Sequence, residues 1–298
     1  MKILLTGGTG FIGGPVLSSL IHKIKGVEIL NLSRTNLISH NKNVEHFKCD
    51  LSNPHTYESK VENFKPEVVL HLAWEGIPNF SLEMCIKNML ISISFFEVVT
   101  KLTSCKKIIT TGSCFEYNTK IGECNENDKV IAKDYFTFAK KTILSFLELE
   151  CSKNNIVYSW ARLFYVYGPN QRSGALIPTL ISSLKSGKTP DLRTPKNAND
   201  FIHVNDVADG LLNMVLTEIK SGIYNLGSGF TISVSEVSRM VEFIISGNDQ
   251  YTNELITKTI STEKTVDFFA NMEKTKLALS WSPSRKISEE TMKLVMEF

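Results

Sequence analysis

Charge of either sign is scarcely in excess in this sequence: 33 lysines and arginines face 31 aspartates and glutamates, a formal net charge of +2. That balance gives no basic field for nucleic acid or anionic lipid, although a few local donors still suffice for a small anionic ligand. The six cysteines, at 49, 85, 105, 114, 124 and 151, include no C-x-x-C pair, and the six histidines lack metal-ligand spacing. No metal is expected, and reduced, mostly buried thiols are. No apolar run approaches the ~20 residues of a membrane span. Met1-Lys2-Ile3-Leu4-Leu5 carries nothing that reads as a signal peptide, so a soluble, cytoplasmic protein is expected.

What is present is ordinary globular composition, 42% hydrophobic and 21% charged over 298 residues. Residues 2–5, 27–32, 68–72, 107–111 and 157–166 read as buried strands. Helical patterns over 11–23, 85–102 and 136–150 separate them. This alternation predicts an α/β fold, a Rossmann-type doubly wound parallel sheet. After Tyr167-Gly168-Pro169 the character changes. A helix is expected over 171–186, a return to the sheet over 200–215 with 201–204 as strand, and another strand over 223–227. Residues 168–199 and 228–298 are expected to form a smaller C-terminal α/β domain beside a larger one of 1–167 and 200–227.

Gly7, Gly10 and Gly13 fall directly between the first strand and the first helix. Gly7 permits a tight turn, Gly10 a close approach of backbone to a pyrophosphate, and Gly13 close packing of helix on strand. Anions sit well against a helix N-terminus, so the first 167 residues are expected to bind a dinucleotide. Sites for NAD usually end the second strand on Asp or Glu, which bonds the ribose 2′-hydroxyl. Here the strand ends Leu30-Asn31-Leu32-Ser33-Arg34. Ser33 and Arg34 suit a 2′-phosphate, which favours NADP(H) and leaves NAD(H) possible. Asp50 and Leu51, after the third strand, suit adenine recognition.

Thr6-Gly7-Gly8-Thr9-Gly10-Phe11-Ile12-Gly13, His71-Leu72-Ala73, Arg162 through Tyr167-Gly168-Pro169, Asp200-Phe201-Ile202-His203-Val204, Asn225-Leu226-Gly227 and Leu279-Ser280-Trp281 occur in this order along the chain. In this set the chain resembles the extended short-chain dehydrogenase/reductases that act on nucleotide sugars. The resemblance implies that Gly7, Gly10, Phe11, Ile12, Gly13, Leu72 and Ala73 line the cofactor. It also implies a C-terminal domain for a nucleotide-diphosphate sugar, and often a homodimer packed through two helices, here 85–102 and 136–150. In that family a Tyr-x-x-x-Lys pair and a Ser or Thr carry the chemistry. Lysine anchors the nicotinamide ribose and tyrosine passes a proton to the sugar oxygen. The matching positions are Ser113, Lys140 and Phe136, so phenylalanine stands where the acid belongs. Tyr135 would point about 100° away on a helix. Three accounts stay open: an engineered tyrosine-to-phenylalanine change, favoured by the intact remainder, natural loss of the acid, or a shifted register with Phe136 as plain core.

Dehydratases of that family carry an Asp-Glu pair after the Ser/Thr, and here Cys114 and Phe115 stand there. The epimerase-reductases of the GDP-fucose synthase type are disfavoured in the same way. The resemblance is closest to CDP-abequose and CDP-paratose synthase-type 4-ketoreductases, which implies NADPH-dependent reduction of a nucleotide-linked 4-keto-deoxyhexose. Deoxysugar synthesis for surface polysaccharide is the implied setting. The expected substrate-binding residues are Trp74 as a candidate wall of the sugar pocket, Cys114, Phe115 and Tyr165, the last replacing a customary Asn, with Arg172 and Arg193 as candidates for the diphosphate. The alternatives are a nucleotide-sugar 4-epimerase with tightly held NAD and a non-catalytic cofactor-binding regulator.

Overall fold

The computed structural model describes residues 1–35, 41–119, 121–190, 192, 194–258, 266–288 and 292. In chain order it begins with β1 (Lys2–Thr6), α1 (Gly13–Lys23), β2 (Glu28–Ser33), β3 (Val44–Lys48), α2 (Glu58–Phe64) and β4 (Val68–His71). There follow α3 (Leu82–Thr100), β5 (Lys107–Ser113), β6 (Ile121–Cys124), α4 (Tyr135–Asn154), β7 (Val157–Leu163) and β8 (Tyr165–Tyr167). Next come α5 (Leu176–Lys185), β9 (Ala198–Asn199), β10 (Phe201–His203), α6 (Val204–Leu216) and β11 (Gly222–Leu226). The chain continues with β12 (Ile232–Ser233), α7 (Val234–Ser246), α8 (Gln250–Lys258), β13 (Asp267–Ala270) and α9 (Glu273–Leu279).

Seven parallel strands form the main sheet in the order β3-β2-β1-β4-β5-β7-β11. The fold class is therefore the expected doubly wound sheet. Its central strands β1 and β4 are buried and mostly apolar because both faces are covered, whereas the edge strand β3 (Val44-Glu45-His46-Phe47-Lys48) is largely polar. Along β1 the alternation of side chains divides the core: Ile3 and Leu5 join Val16, Leu20 and Leu211 under α1 and α6. Leu4, pointing the other way, joins Phe95, Ile143, Leu147 and Trp160 under α3 and α4. A further cluster, with Leu180, Val237 and Val241, binds α5 to α7 beside the four-stranded sheet β12-β9-β13-β6.

Several boundaries differ from the sequence reading. The strand expected over 157–166 breaks at Phe164, whose N–H donates to the Leu226 carbonyl (3.0 Å). Tyr165–Tyr167 then pairs with Phe201–His203 in a separate two-stranded sheet. Residues 201–204 consequently do not return to the main sheet; α6 covers it and β11 rejoins it along β7. Buried Asp200, just before them, ties the chain to the turn after β11 and to β13, its carboxylate accepting from Ser228 N and Oγ (both 2.6 Å) and from Gly229 N and Ala270 N (both 3.0 Å). The helix expected from 171 starts at Leu176, because Gly174 takes a left-handed conformation (φ +80°) and Ala175 is extended. Among the described residues no helix is long and apolar enough to cross a membrane, and no cluster suits a metal ion. All six cysteines are free and buried.

Candidate active site

The turn between β1 and α1 is built by its glycines. Gly7 is left-handed (φ +75°), and a Cβ there would lie 2.8 Å from the Ala73 nitrogen and the Leu72 carbonyl carbon. A Cβ at Gly13 would fall 2.0 Å from the Gly7 carbonyl oxygen. Its constraint is thus closure of the loop on itself rather than the expected packing of helix on strand. Gly8 escaped the sequence reading, although a Cβ there would meet Asn31 Oδ1 at 2.5 Å and Leu5 Cδ2 at 2.7 Å. The Gly-Gly pair was its only signal. Ile12, the N-cap of α1, places no side-chain cap on the helix start, where Gly14 N already donates to the Gly10 carbonyl (2.9 Å) and Pro15 has no N–H, so what the turn offers an anion is the positive end of the helix rather than a row of free donors.

Thr9, Gly7 and Gly10 open into a cleft whose far wall includes Leu32, Ser33, Arg34, Asp50 and Leu51. Leu72, Ala73, Trp74, Glu75 and Asn88 complete it. Of the expected cofactor residues, Phe11 lines a neighbouring groove instead, Ile12 packs against the core, and Gly13 and Lys140 stand outside the cleft's lining. Asp50 accepts from Ser52 N (2.9 Å), and that bond holds its carboxyl below the usual carboxylate range. Ser33 Oγ donates to the Thr35 carbonyl (2.6 Å). The acid missing from the end of β2 arrives from elsewhere. Arg34 Nη1 lies 3.0 Å from Glu75 Oε2, and Lys87 Nζ bonds the other Glu75 oxygen. No strand-end rule locates Glu75, which is 41 residues from Arg34.

Ser113 closes β5 on a buried knot of charge. Its N–H donates to Glu116 Oε1 (2.8 Å), and its Oγ accepts from Phe115 N (3.2 Å). Glu116, 1% exposed, also accepts from Arg162 Nε (2.8 Å), which is 2% exposed, and from Trp160 Nε1 (3.1 Å to each oxygen). Gly112 is glycine because a Cβ would come within 2.1 Å of Trp160 Nε1 and 2.4 Å of Glu116 Oε1. Neither Glu116 nor Arg162 was assigned this role from sequence.

On α4, Asp134 caps the helix through Thr137 N (2.7 Å), so position 136 lies in the first turn and 140 one turn later. Lys140 is buried; its Nζ donates to the Thr111 carbonyl (2.8 Å) and sits 4.1 Å above the Trp74 ring. Burial pulls its pKa down to about 8, with Glu116 opposing the fall. Phe136, also buried, has Trp74, Phe80 and Phe115 around it at ring separations of 5.3, 4.8 and 6.4 Å. Tyr135 is 52% exposed and turned to solvent. Tyr165 meets Phe115 edge-on at 5.8 Å, and Cys114 is buried with its thiol pushed up by desolvation. Arg172 is exposed in the loop before α5. Arg193 lies outside the described residues.

These features suit a dinucleotide: an uncapped helix start, a glycine turn without room for side chains, and a cation with ammonium protons to spare. Trp74 Nε1, buried without a partner among the described residues, adds an unused donor beside the cleft. Residues 3–227 match the profile of the NAD dependent epimerase/dehydratase family. Among curated relatives, the GDP-6-deoxy-D-talose 4-dehydrogenase of Aggregatibacter actinomycetemcomitans is 28% identical over 81% of this chain and 79% of its own. The CDP-abequose synthase of Yersinia pseudotuberculosis is 25% identical over 73% and 74%. The dTDP-D-glucose 4,6-dehydratase of Dictyostelium discoideum is 24% identical over 80% of this chain and 61% of its own. Among solved structures, UDP-glucuronic acid 4-epimerase from Bacillus cereus, in complex with NAD, superposes with a TM-score of 0.83 at 20% identity, covering 100% of this chain and 98% of that one.

Proposed function

The chain belongs to the NAD-dependent epimerase/dehydratase family, and from that premise we propose that it reduces the C4 ketone of a nucleotide-linked 4-keto-deoxyhexose, with NADPH as the favoured reductant. When bound, the dihydronicotinamide supplies the hydride. Lys140 spends one ammonium proton on the Thr111 carbonyl and keeps the others for the hydroxyls of the nicotinamide ribose. Ser113 Oγ accepts from Phe115 N and so keeps its own proton to donate to the ketone oxygen. Phe136 stands beside Lys140 where the proton donor belongs and has none to give. The protein as it stands therefore binds its ligands and turns over slowly.

One observation carries the choice of reaction. The positions after Ser113 hold a buried thiol and an aromatic ring, while the neighbouring carboxylate, Glu116, is consumed by Arg162 and Trp160. Among the described residues the positions after Ser113 thus offer no free acid–base pair for a dehydration, and a simple carbonyl reduction asks for none. Relatives named as a C4 dehydrogenase and as a CDP-abequose synthase support the same reading. The smaller domain, 168–199 and 228–298, would hold the nucleotide sugar over this pocket. A homodimer through α3 and α4 accords with Leu90, Phe138 and Leu149, large apolar side chains left exposed on them.

The test is a panel of CDP-, dTDP-, GDP- and UDP-linked 4-keto-6-deoxyhexoses incubated with the protein and NADPH. Slow NADPH oxidation with one of them, and a product two mass units heavier, is expected. Co-purified NAD with interconversion of C4 epimers and no net cofactor change would overturn the reductase reading in favour of an epimerase.

A further inference from the structure

Glu75 stands at the rim of the dinucleotide cleft, in the wall that holds Ser33, Arg34 and Asp50. Its two carboxylate oxygens are divided between two cations, Arg34 and Lys87. Its backbone is fixed on both sides by buried Asn88: Glu75 N donates to Asn88 Oδ1 (2.8 Å), and Asn88 Nδ2 donates to the Glu75 carbonyl (3.0 Å). Asn88 is itself tied to the Met84 carbonyl of α3 (2.8 Å). The acid is therefore anchored at its main chain, and only its side chain can yield.

A carboxylate shared by a guanidinium and an ammonium occupies them as a phosphate monoester would. We propose that Glu75 is a built-in anion that competes with the 2′-phosphate of NADP(H) for Arg34 and Lys87, and so sets how strongly the cleft discriminates between the two dinucleotides. The proposal rests on the dinucleotide reading of the cleft but not on which dinucleotide is preferred. Glu75 holds the two cations together and offsets one of their two charges. A 2′-phosphate has to displace the carboxylate from Arg34 and then bear its repulsion from close by. A 2′-hydroxyl does neither. Glu75 accordingly weakens NADP(H) selectively and leaves NAD(H) almost untouched.

Dissociation constants for NADPH and NADH, measured by fluorescence titration on the wild type, Glu75→Gln, Arg34→Met and the double variant, test this. Glu75→Gln keeps the shape of the side chain and leaves the Asn88 bonds in place. It is expected to tighten NADPH about three- to thirtyfold at low salt, in line with freeing two partly exposed cations. NADH affinity should move less than about threefold, which also certifies that the cleft is intact. In the Arg34→Met background the gain should shrink by at least about threefold. A ratio of NADPH to NADH affinity unmoved by Glu75→Gln, or moved equally with and without Arg34, overturns the proposal while the dinucleotide reading stands. A wild type that prefers NADH, with the ratio still shifted by Glu75→Gln, supports the proposal and removes only the NADPH preference. Failure of every variant to bind either dinucleotide overturns both.

Discussion

Glu116→Ala is the most revealing single change outside the cleft. Glu116 and Arg162 are 1% and 2% exposed and 2.8 Å apart, so their charges meet almost out of water. Truncating the acid leaves the guanidinium with the Glu126 carbonyl (3.2 Å) and the Tyr117 ring (4.5 Å), neither of which neutralises it. It also strands the Trp160 and Ser113 N–H donors. Breaking one side of a buried pair costs about 3–5 kcal/mol, and for a chain of this size that lowers Tm by about 10 °C. Urea unfolding and a thermal scan give both numbers. Because the Ser113 amide loses its anchor, kcat should fall, while dinucleotide affinity should hold at pH 6, well below the range in which Lys140, deprived of Glu116, gives up its proton. The double variant Glu116→Ala/Arg162→Met should recover part of the stability, since no charge is then left unpaired. A loss below about 1 kcal/mol, or a double variant as unstable as the sum of the singles, would refute the reasoning.

Lys140, lowered to about 8, is expected to release its proton in that range, so dinucleotide affinity should weaken as pH rises through about 8 and Lys140→Met should bind weakly at every pH. The sign for folding is the reverse: the unfolded lysine keeps its proton to ~10.4, so this group's contribution to stability rises with pH between about 8 and that value. Denaturation at several pH values, compared with Lys140→Met, checks it. Arg34→Ala is expected to cost NADPH about one decade of affinity and NADH little, read by titration calorimetry; equal affinities in the wild type would sink the NADPH preference. Sedimentation should show a homodimer that Leu90→Glu with Leu149→Glu converts to monomer; a monomeric wild type would remove the α3–α4 interface.

How much of this was legible depended on sequence distance. The glycine turn, the run of buried strands and the one-turn spacing of Phe136 and Lys140 are local patterns, and local geometry fixes them. The register of 136 and 140 came from the resemblance; Asp134, which caps α4 and sets where its first turn begins, is a local signal the sequence reading did not use. The break at Phe164 was not readable: residues 157–166 are uniformly strand-like, and the pairing of 165–167 with 201–203, like the bonds of Asp200 to Ser228, Gly229 and Ala270, is made between segments far apart in the chain. Glu116 and Arg162 are 46 residues apart and Arg34 and Glu75 are 41 apart, so both pairs are products of the topology. The sequence showed a cation without an acid at the end of β2, and the loop after β4 supplied one.

The measurement closest to the central claim restores the missing hydroxyl. Phe136 packs between Trp74 and Phe115 beside Lys140, so tyrosine there would set a phenol next to a lysine that can lower its pKa. General acid catalysis is worth ~10²–10⁴ in rate, about 3–5 kcal/mol of barrier. With the 4-keto sugar that the panel identifies, Phe136→Tyr is expected to raise kcat by about two to four decades with KM almost unchanged, since the proton is needed only in the transition state. Tyr135→Phe in that background should be nearly silent, because Tyr135 faces solvent. If Phe136→Tyr adds nothing and Tyr135→Phe abolishes turnover, the acid is Tyr135 and the account of this pocket is wrong.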